Sequence, residues 1–242
     1  MIQYLEWDSN FFRKKISSIS VKRNTSPKNL IASLNTLFHN GCDCVYLIIP
    51  KKRNNLVKFC TQQKYFLADS RIILQKETRI AKKTNNTIKT HITKKHLPHL
   101  FEITDEISLK SRFYKDPKFR PYAKKLYRQW VENAIYHQYA DKCFFTFESG
   151  IPTGTIMLKC KNNKLIIDLF GVHKDFRRRG IGTNLLNAAE SWALEEKFNS
   201  VYVPTQQDNT IAVLVYQKYG FSYFEEVIIY HIWRHKYVAN TI

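Results

Sequence analysis

The chain has 242 residues, 44% of them hydrophobic, enough to bury a proper core and too many for a disordered segment. Thirty-nine Lys and Arg against twenty Asp and Glu leave a net charge of +19, a surplus that draws polyanions such as nucleic acid, anionic lipid or ligands with several phosphates. No run approaches the ~18 apolar residues of a membrane helix, and MIQYLEWDSNFF lacks the basic start and apolar block of a secretory signal, so a soluble cytoplasmic protein without a membrane partner is expected.

Residues 1 to about 80 precede the most polar stretch of the chain, RIAKKTNNTIKTHITKKH at 79–96, which reads as a linker. It divides the chain into a smaller N-terminal part, 1–88, and a larger C-terminal part, 89–242. Beyond it, Pro98 opens a short helix with Leu97, Leu100, Phe101 and Ile107 turned inward. The loop SRFYKDPKF follows. Pro121 then starts a helix in which Tyr122, Leu126, Trp130, Ala134 and His137 recur at helical spacing.

CFFTFE, TGTIMLKC and KLIIDLFGV, separated by turns at Gly150-Ile151-Pro152 and Asn162-Asn163, predict an antiparallel meander. Next come HKDFRRRGIGTNLL, a helix with Ile181, Leu185, Ala188, Ala189 and Trp192 on one face, and the strand SVYVPT. Asp208 or Asn209 can cap the helix in DNTIAVLVYQKY, which Gly220 stops, and EEVIIYHIW is a last strand. On that helix Asn209, Ala212, Tyr216 and Gly220 share one face, with Ile211, Leu214 and Val215 expected to turn to the core. The C-terminal part thus reads α-α-β-β-β-α-β-α-β.

The N-terminal part repeats this pattern faintly. Displaced by 155 positions, Asn54 falls on Asn209, Gln62 on Gln217, Phe66 on Phe221, and the apolar run Ile72-Ile73-Leu74 on Val227-Ile228-Ile229. Residues 1 to about 80 are therefore expected to be a truncated copy of the same half-fold, with Thr61 where the C-terminal copy has Tyr216. The five cysteines, Cys42, Cys44, Cys60, Cys143 and Cys160, form no CxxC pair and their odd number points to reduced thiols; no metal site is expected.

The stretch from Arg177 to Thr183 poses the chemical question. A helix start after a strand offers unpaired N–H groups and the positive end of a dipole, glycines there admit a ligand to the backbone, and arginines add charged clamps. A diphosphate asks for that arrangement. Arg177-x-x-Gly180-x-Gly182, followed by Asn209-x-x-Ala212-x-x-x-Tyr216-x-x-x-Gly220, resembles the GCN5-related N-acetyltransferase (GNAT) superfamily over roughly residues 90 to 235. The resemblance implies an α/β GNAT fold, a mixed, mostly antiparallel twisted sheet flanked by helices, here preceded by a truncated GNAT-like domain at 1–88.

By the same resemblance the backbone and side chains of Arg177, Arg178, Arg179, Gly180, Ile181, Gly182 and Thr183 hold the pyrophosphate of coenzyme A, with acyl-CoA as cosubstrate. Leu169, Phe170, Gly171 and Val172 line the pantetheine arm, Asn209 and Ala212 complete the cofactor face, and Tyr216 is the general acid that protonates the departing sulfur. A tyrosine of pKa about 10 is roughly 1.5 units too weak for a thiol of about 8.5, a gap that basic surroundings would narrow. Asp168 and Glu148 are candidate bases. None of the cysteines falls on the motif, so direct transfer is expected and no acyl-enzyme.

LEWDSNFF, SRFYKDPKF and LYRQWVENA are similar to segments of nucleotide-sugar N-acyltransferases of the TDP-fucosamine acetyltransferase type, although Arg13 stands where a small residue is expected. That likeness implies transfer of acetyl, or a small acyl such as 3-hydroxybutyryl, to a dTDP-linked amino-dideoxyhexose for surface polysaccharide, by a homodimer that binds no nucleic acid. Arg112 or Lys115 would then clamp the diphosphate, Phe113 or Tyr114 stack on base or sugar, and Asp116 or Asp168 hold the amine. The rival expectations are acetylation of a protein or RNA amine, favoured by the +19 charge, and a non-catalytic acyl-CoA sensor.

Overall fold

The computed structural model describes residues 1–78, 88–137 and 139–239. The first half of the expected linker, residues 79–87, lies outside the described residues. The chain opens with β1 (Ile2–Tyr4), α1 (Glu6–Phe12) and β2 (Ile16–Ser20). Ser26 then caps α2 (Pro27–His39), whose Pro27 needs no N–H donor at that position. β3 (Cys44–Pro50), α3 (Asn54–Gln62) and β4 (Phe66–Glu77) complete the N-terminal half.

The C-terminal half runs β5 (Ile88–Lys89), α4 (Leu97–Ser108), α5 (Arg112–Lys115), α6 (Ala123–Tyr136), β6 (Lys142–Glu148), β7 (Ile151–Lys161), β8 (Lys164–Val172), α7 (Ile181–Glu195), β9 (Ser200–Gln206), α8 (Thr210–Tyr219), β10 (Ser222–Trp233) and α9 (Arg234–Ala239). The order read from the sequence holds from α4 to β10. Asn162 and Asn163, both at positive φ, form the tight turn between β7 and β8. The loop at 111–119, expected to be irregular, contains α5, capped by the Ser111 side chain.

All ten strands join one sheet in the order β1-β2-β3-β10-β4-β9-β8-β7-β6-β5. The last strand of each half sits next to strands of the other: β10 lies between β3 and β4, and β4 between β10 and β9. The runs β2-α2-β3-α3-β4 and β8-α7-β9-α8-β10 share one element order, and each begins with a parallel strand pair around a helix. The two pairs differ in extent. β2 and β3 stay together from Ile16–Cys44 to Ser20–Ile48, whereas β8 and β9 pair only at Leu165–Val201 and Ile166–Tyr202. From Ile167 onward the edge of β8 toward β9 is free of ladder bonds.

Four hydrophobic clusters hold the halves. One joins the sheet to α7 and α8 through Ile156, Leu185, Ala189, Val203 and Tyr216, and another packs α2 and α3 on β3 and β10. An aromatic cluster around Phe12, Tyr46, Phe113, Phe119 and Trp233 binds α1 and α5 to the N-terminal strands, and a fourth lies under α4 and α6. On α8 the facing read from the sequence is reversed: Ile211, Leu214 and Val215 are exposed, and Ala212, Val213, Tyr216 and Tyr219 meet the core. The helix is apolar nearly all round, so periodicity alone did not fix its phase. Among the described residues no helix is long and apolar enough to cross a membrane.

Candidate active site

The free edge of β8 ends at the turn that launches α7. Gly180 caps that helix at φ +77°, a left-handed conformation that other residues adopt at a cost, and a Cβ there would meet nothing within 4 Å. Among the described residues no side chain caps the helix, so the amides of its first turn, Ile181, Gly182 and Thr183, keep their donors for another partner. A Cβ on Gly182 would stand 3.3 Å from Phe170 Cζ, which shows how closely this turn lies against β8. Three free amides at the positive end of a fifteen-residue helix, beside an unpaired strand edge, fit an anion with an extended tail.

The three arginines divide their work. Arg177 donates Nε to the Val172 carbonyl at 3.1 Å and Nη2 to Glu106 at 2.7 Å. Arg179 reaches the Asp175 carbonyl at 3.2 Å and Glu148 at 3.3 Å, which ties Glu148 to this loop. Arg178 is exposed, sits at φ +62°, and has no hydrogen-bond partner among the described residues.

Tyr216 lies across the groove on α8, its ring centroid 5.8 Å from that of Phe170 and 5.6 Å from that of Phe221. Burial drives its phenol well above the ordinary value. This departs from the expectation that basic surroundings would ease its ionisation: no cation is close enough to offset the desolvation. The proton is therefore held firmly across the physiological range. Its hydroxyl makes no hydrogen bond among the described residues and is not among the sealed polar atoms. Asn209 serves as the N-cap of α8, accepting from the Ala212 amide at 3.5 Å, and Ala212 packs on the core beside Tyr216.

Gly171 is glycine for a different reason than a ligand's approach. A Cβ would lie 2.5 Å from Ile103 Cγ2 and 2.8 Å from Ile107 Cδ1, so it is α4 that comes close here. Leu169 is buried beneath the same helices. Between them and the start of the strand lies a bulge: Met157 pairs with Leu169 and Leu158 with Ile167, leaving Asp168 as the extra residue. Asp168 lines a small cavity of about 70 Å³ with Trp130, Tyr139 and Met157. Desolvation raises its carboxyl above the ordinary value, against the pull of Lys159, Arg71 and Lys161.

The loop expected to receive the acceptor is only partly available. Phe113 is buried between Phe12, Phe119 and Trp130 and stacks on no outside ring. Asp116 is also buried, accepting from His231 Nδ1 at 2.8 Å and Trp233 Nε1 at 3.0 Å, which removes it as a holder of the amine. Lys115 pairs with Asp208 at 2.7 Å, and Tyr114 is 36% exposed under the Arg120 guanidinium. Arg112 packs on the Tyr46 ring and donates to His231 at 2.7 Å. Two polar residues escaped the sequence reading, Asp69 and Arg71 on β4, which the strand exchange places beside β9 with Arg71 opposite Gln206. Their one signal was a charged alternation inside an apolar strand, FLADSRIIL.

Residues 106–221 match the family described as Acetyltransferase (GNAT) family. The spore coat polysaccharide biosynthesis protein SpsD of Bacillus subtilis (strain 168) is 26% identical over 133 residues, 54% of this chain and 46% of that protein. Streptothricin acetyltransferase A of the same organism is 28% identical over 110 residues, 45% of this chain and 64% of that one. The chain thus spans about half to two thirds of these curated relatives. A GCN5-related N-acetyltransferase from Sphaerobacter thermophilus superposes over 90% of this chain and 73% of that one, with a TM-score of 0.59 at 14% identity, a likeness of fold.

Proposed function

We propose, from the premise that residues 106–221 form an acetyltransferase domain of the GNAT family, that this chain transfers a small acyl group from acyl-coenzyme A to the amine of a dTDP-linked amino-dideoxyhexose. The observation that carries the transfer is the opening between β8 and β9. It sets an unpaired strand edge, three uncapped helix amides and the Tyr216 hydroxyl around one groove. Members of this family are acyltransferases, and the groove suits their cosubstrate: amides of Ile181, Gly182 and Thr183 for the pyrophosphate, the β8 edge for the pantetheine arm.

The amine nitrogen attacks the thioester carbon and forms the C–N bond, giving a tetrahedral oxyanion that collapses as the C–S bond breaks. Tyr216 supplies the proton to the leaving sulfur, and Asp168 or water takes one from the amine. In this reading an N–H group of the strand from Phe170 to Val172 receives the oxyanion. The sugar reading draws on the polysaccharide role in the name of SpsD and on the similarity of the LEWDSNFF and SRFYKDPKF segments. We further read residues 1–88 as a truncated copy of the half-fold joined to a catalytic domain at 89–242. The matching element runs support it, as does the full β2–β3 pairing, which leaves the N-terminal copy no groove of its own.

The test is a thermal-shift panel of dTDP-amino sugars with and without coenzyme A, followed by thiol release from acetyl-CoA on the ligands that stabilise. Thiol release with a dTDP-amino sugar and not with peptides or RNA is the expected result. Turnover confined to a peptide or RNA would replace the sugar with a polymer, and tight coenzyme binding without turnover on any amine would leave a sensor.

A further inference from the structure

Where β4 crosses from one half to the other, α5 packs over it, so that an arginine of each half, Arg71 on β4 and Arg112 on α5, belongs to the same packed pair of elements. Arg71 is held from below. Its Nε and Nη2 both lie 3.2 Å from Oδ2 of Asp69, a residue only 1% exposed, and Arg71 has no further hydrogen bond among the described residues. Arg112 packs against the rings of both Tyr46 and Phe113, its Cζ 4.2 Å from each centroid. Its Nη1 donates to His231 Nε2 at 2.7 Å, and Asp116 accepts the Nδ1 proton of the same ring. Each guanidinium is thus aimed by a buried acid, Asp69 directly and Asp116 through His231, and each keeps unused donors.

Burial lowers the Arg112 guanidinium from its ordinary value, and after the opposing effect of Tyr46 the next cause is the charge of Arg71. Two cations within each other's field are unfavourable unless something offsets them, the more so where burial thins the solvent around one of them. Asp8 and Asp69 act on Arg112, and the field of Arg71 reaches Asp168 on β8. The polar bonding is incomplete even so: Asp69 Oδ1 and the Tyr46 hydroxyl are sealed and unpartnered. Fork-shaped donors fixed by acids beneath them, with the Asp168 carboxyl within the field of one of them, suit a molecule that carries both an oxyanion and an amine.

We propose that Arg71 and Arg112 clamp the phosphate-bearing group of the acyl acceptor while Asp168 receives its amine, an inference that rests on the N-acyltransferase reading above. The N-terminal half then serves the reaction by lending β4 to the acceptor side of the groove. Asp69, His231 and Asp116 are positioning residues. The same clamp disfavours polycationic acceptors, which would meet two fixed guanidinium groups.

Calorimetric titration of dTDP into the protein saturated with coenzyme A tests this, the coenzyme keeping its own phosphate site filled. The wild type is expected to bind dTDP. Arg71→Gln, at a side chain 30% exposed, is expected to weaken that binding ten-fold or more at a temperature where the variant is still folded, its melting temperature lowered because the buried Asp69 loses its cation. Arg112→Lys keeps the charge but not the fork and is expected to weaken it comparably. Asp69→Asn, which releases Arg71, should raise KM for the amino sugar several-fold with kcat nearly kept. Absence of dTDP binding by the wild type, or equal binding by Arg71→Gln, overturns the clamp. Binding through Arg71 without thiol release on any amine leaves the clamp standing and removes the transfer reading, so the two failures are told apart.

Discussion

Phe170 on β8 and Tyr216 on α8 pack ring against ring, their centroids 5.8 Å apart, and Gly182 lies against the tip of the Phe170 ring. Phe170 therefore sets where the Tyr216 hydroxyl points. Replacing Tyr216 by Phe keeps that packing and removes only the proton. Turnover in a thiol-release assay is expected to fall ten-fold or more while acetyl-CoA affinity moves less than two-fold; unchanged turnover would remove the acid role. Because burial raises the phenol, the rate should show no loss from tyrosine ionisation up to the ordinary phenol value near 10.

The two glycines at the ends of the strand–helix turn should respond differently. Gly171→Ala puts a methyl into Ile103 and Ile107 of α4, an overpacking expected to cost about 1–3 kcal/mol in chemical denaturation. Gly180→Ala meets no neighbour but holds a left-handed φ, so its cost is the backbone's, roughly 1–2 kcal/mol. If Gly171 were there for the coenzyme, its Ala variant would lose affinity without losing stability. The contacts with α4 predict the reverse order.

What the sequence could carry was local. The arginine–glycine turn, the Asn162-Asn163 hairpin and the element order from α4 to β10 are each written in a few adjacent residues, and the structure has them. The facing of α8 was not, because Ile211, Leu214 and Val215 are as apolar as Ala212 and Val213 and only the packed sheet chooses between them. The roles read into Phe113 and Asp116 failed for the same kind of reason. Their partners, Trp130, His231 and Trp233, arrive from α6 and from a strand more than a hundred residues away. Asp69 and Arg71 come to lie beside β9 only because β4 sits between β10 and β9, a pairing that no periodicity encodes.

Among the three arginines of the turn, Arg178 is the one without a protein partner among the described residues, and it pays for its place with a positive φ. Arg178→Gly should leave stability unchanged or raise it slightly, since glycine adopts that φ freely. Coenzyme A affinity is expected to fall three- to ten-fold, and the loss should shrink in 0.5 M salt, where exposed charges are screened. Arg177→Ala breaks the bonds to Glu106 and Val172 and should lower stability as well as affinity. A matching stability loss in Arg178→Gly would mean that its side chain supports the fold.

The buried ring of His231 gives the fold an acid sensitivity of predictable sign. Arg112 can only donate, so His231 Nε2 accepts and Nδ1 carries the proton to Asp116. Burial pushes this imidazole down to about 4, against the opposing pull of Asp116. The unfolded chain, with an ordinary histidine near 6.5, takes up a proton that the folded state refuses, so stability is full above that value and drains away as pH falls toward 4. Burial alone would raise the Asp116 carboxyl, but its bonds from His231 and Trp233 hold it below the ordinary range, which extends the loss in the same direction at still lower pH. Urea midpoints measured from pH 7 to pH 4 should therefore decline steeply in the wild type. In His231→Asn, which keeps a donor toward Asp116 but cannot titrate, the decline should be shallower from a starting point about 1–3 kcal/mol lower. Parallel curves for the two proteins would place the acid sensitivity elsewhere in the molecule.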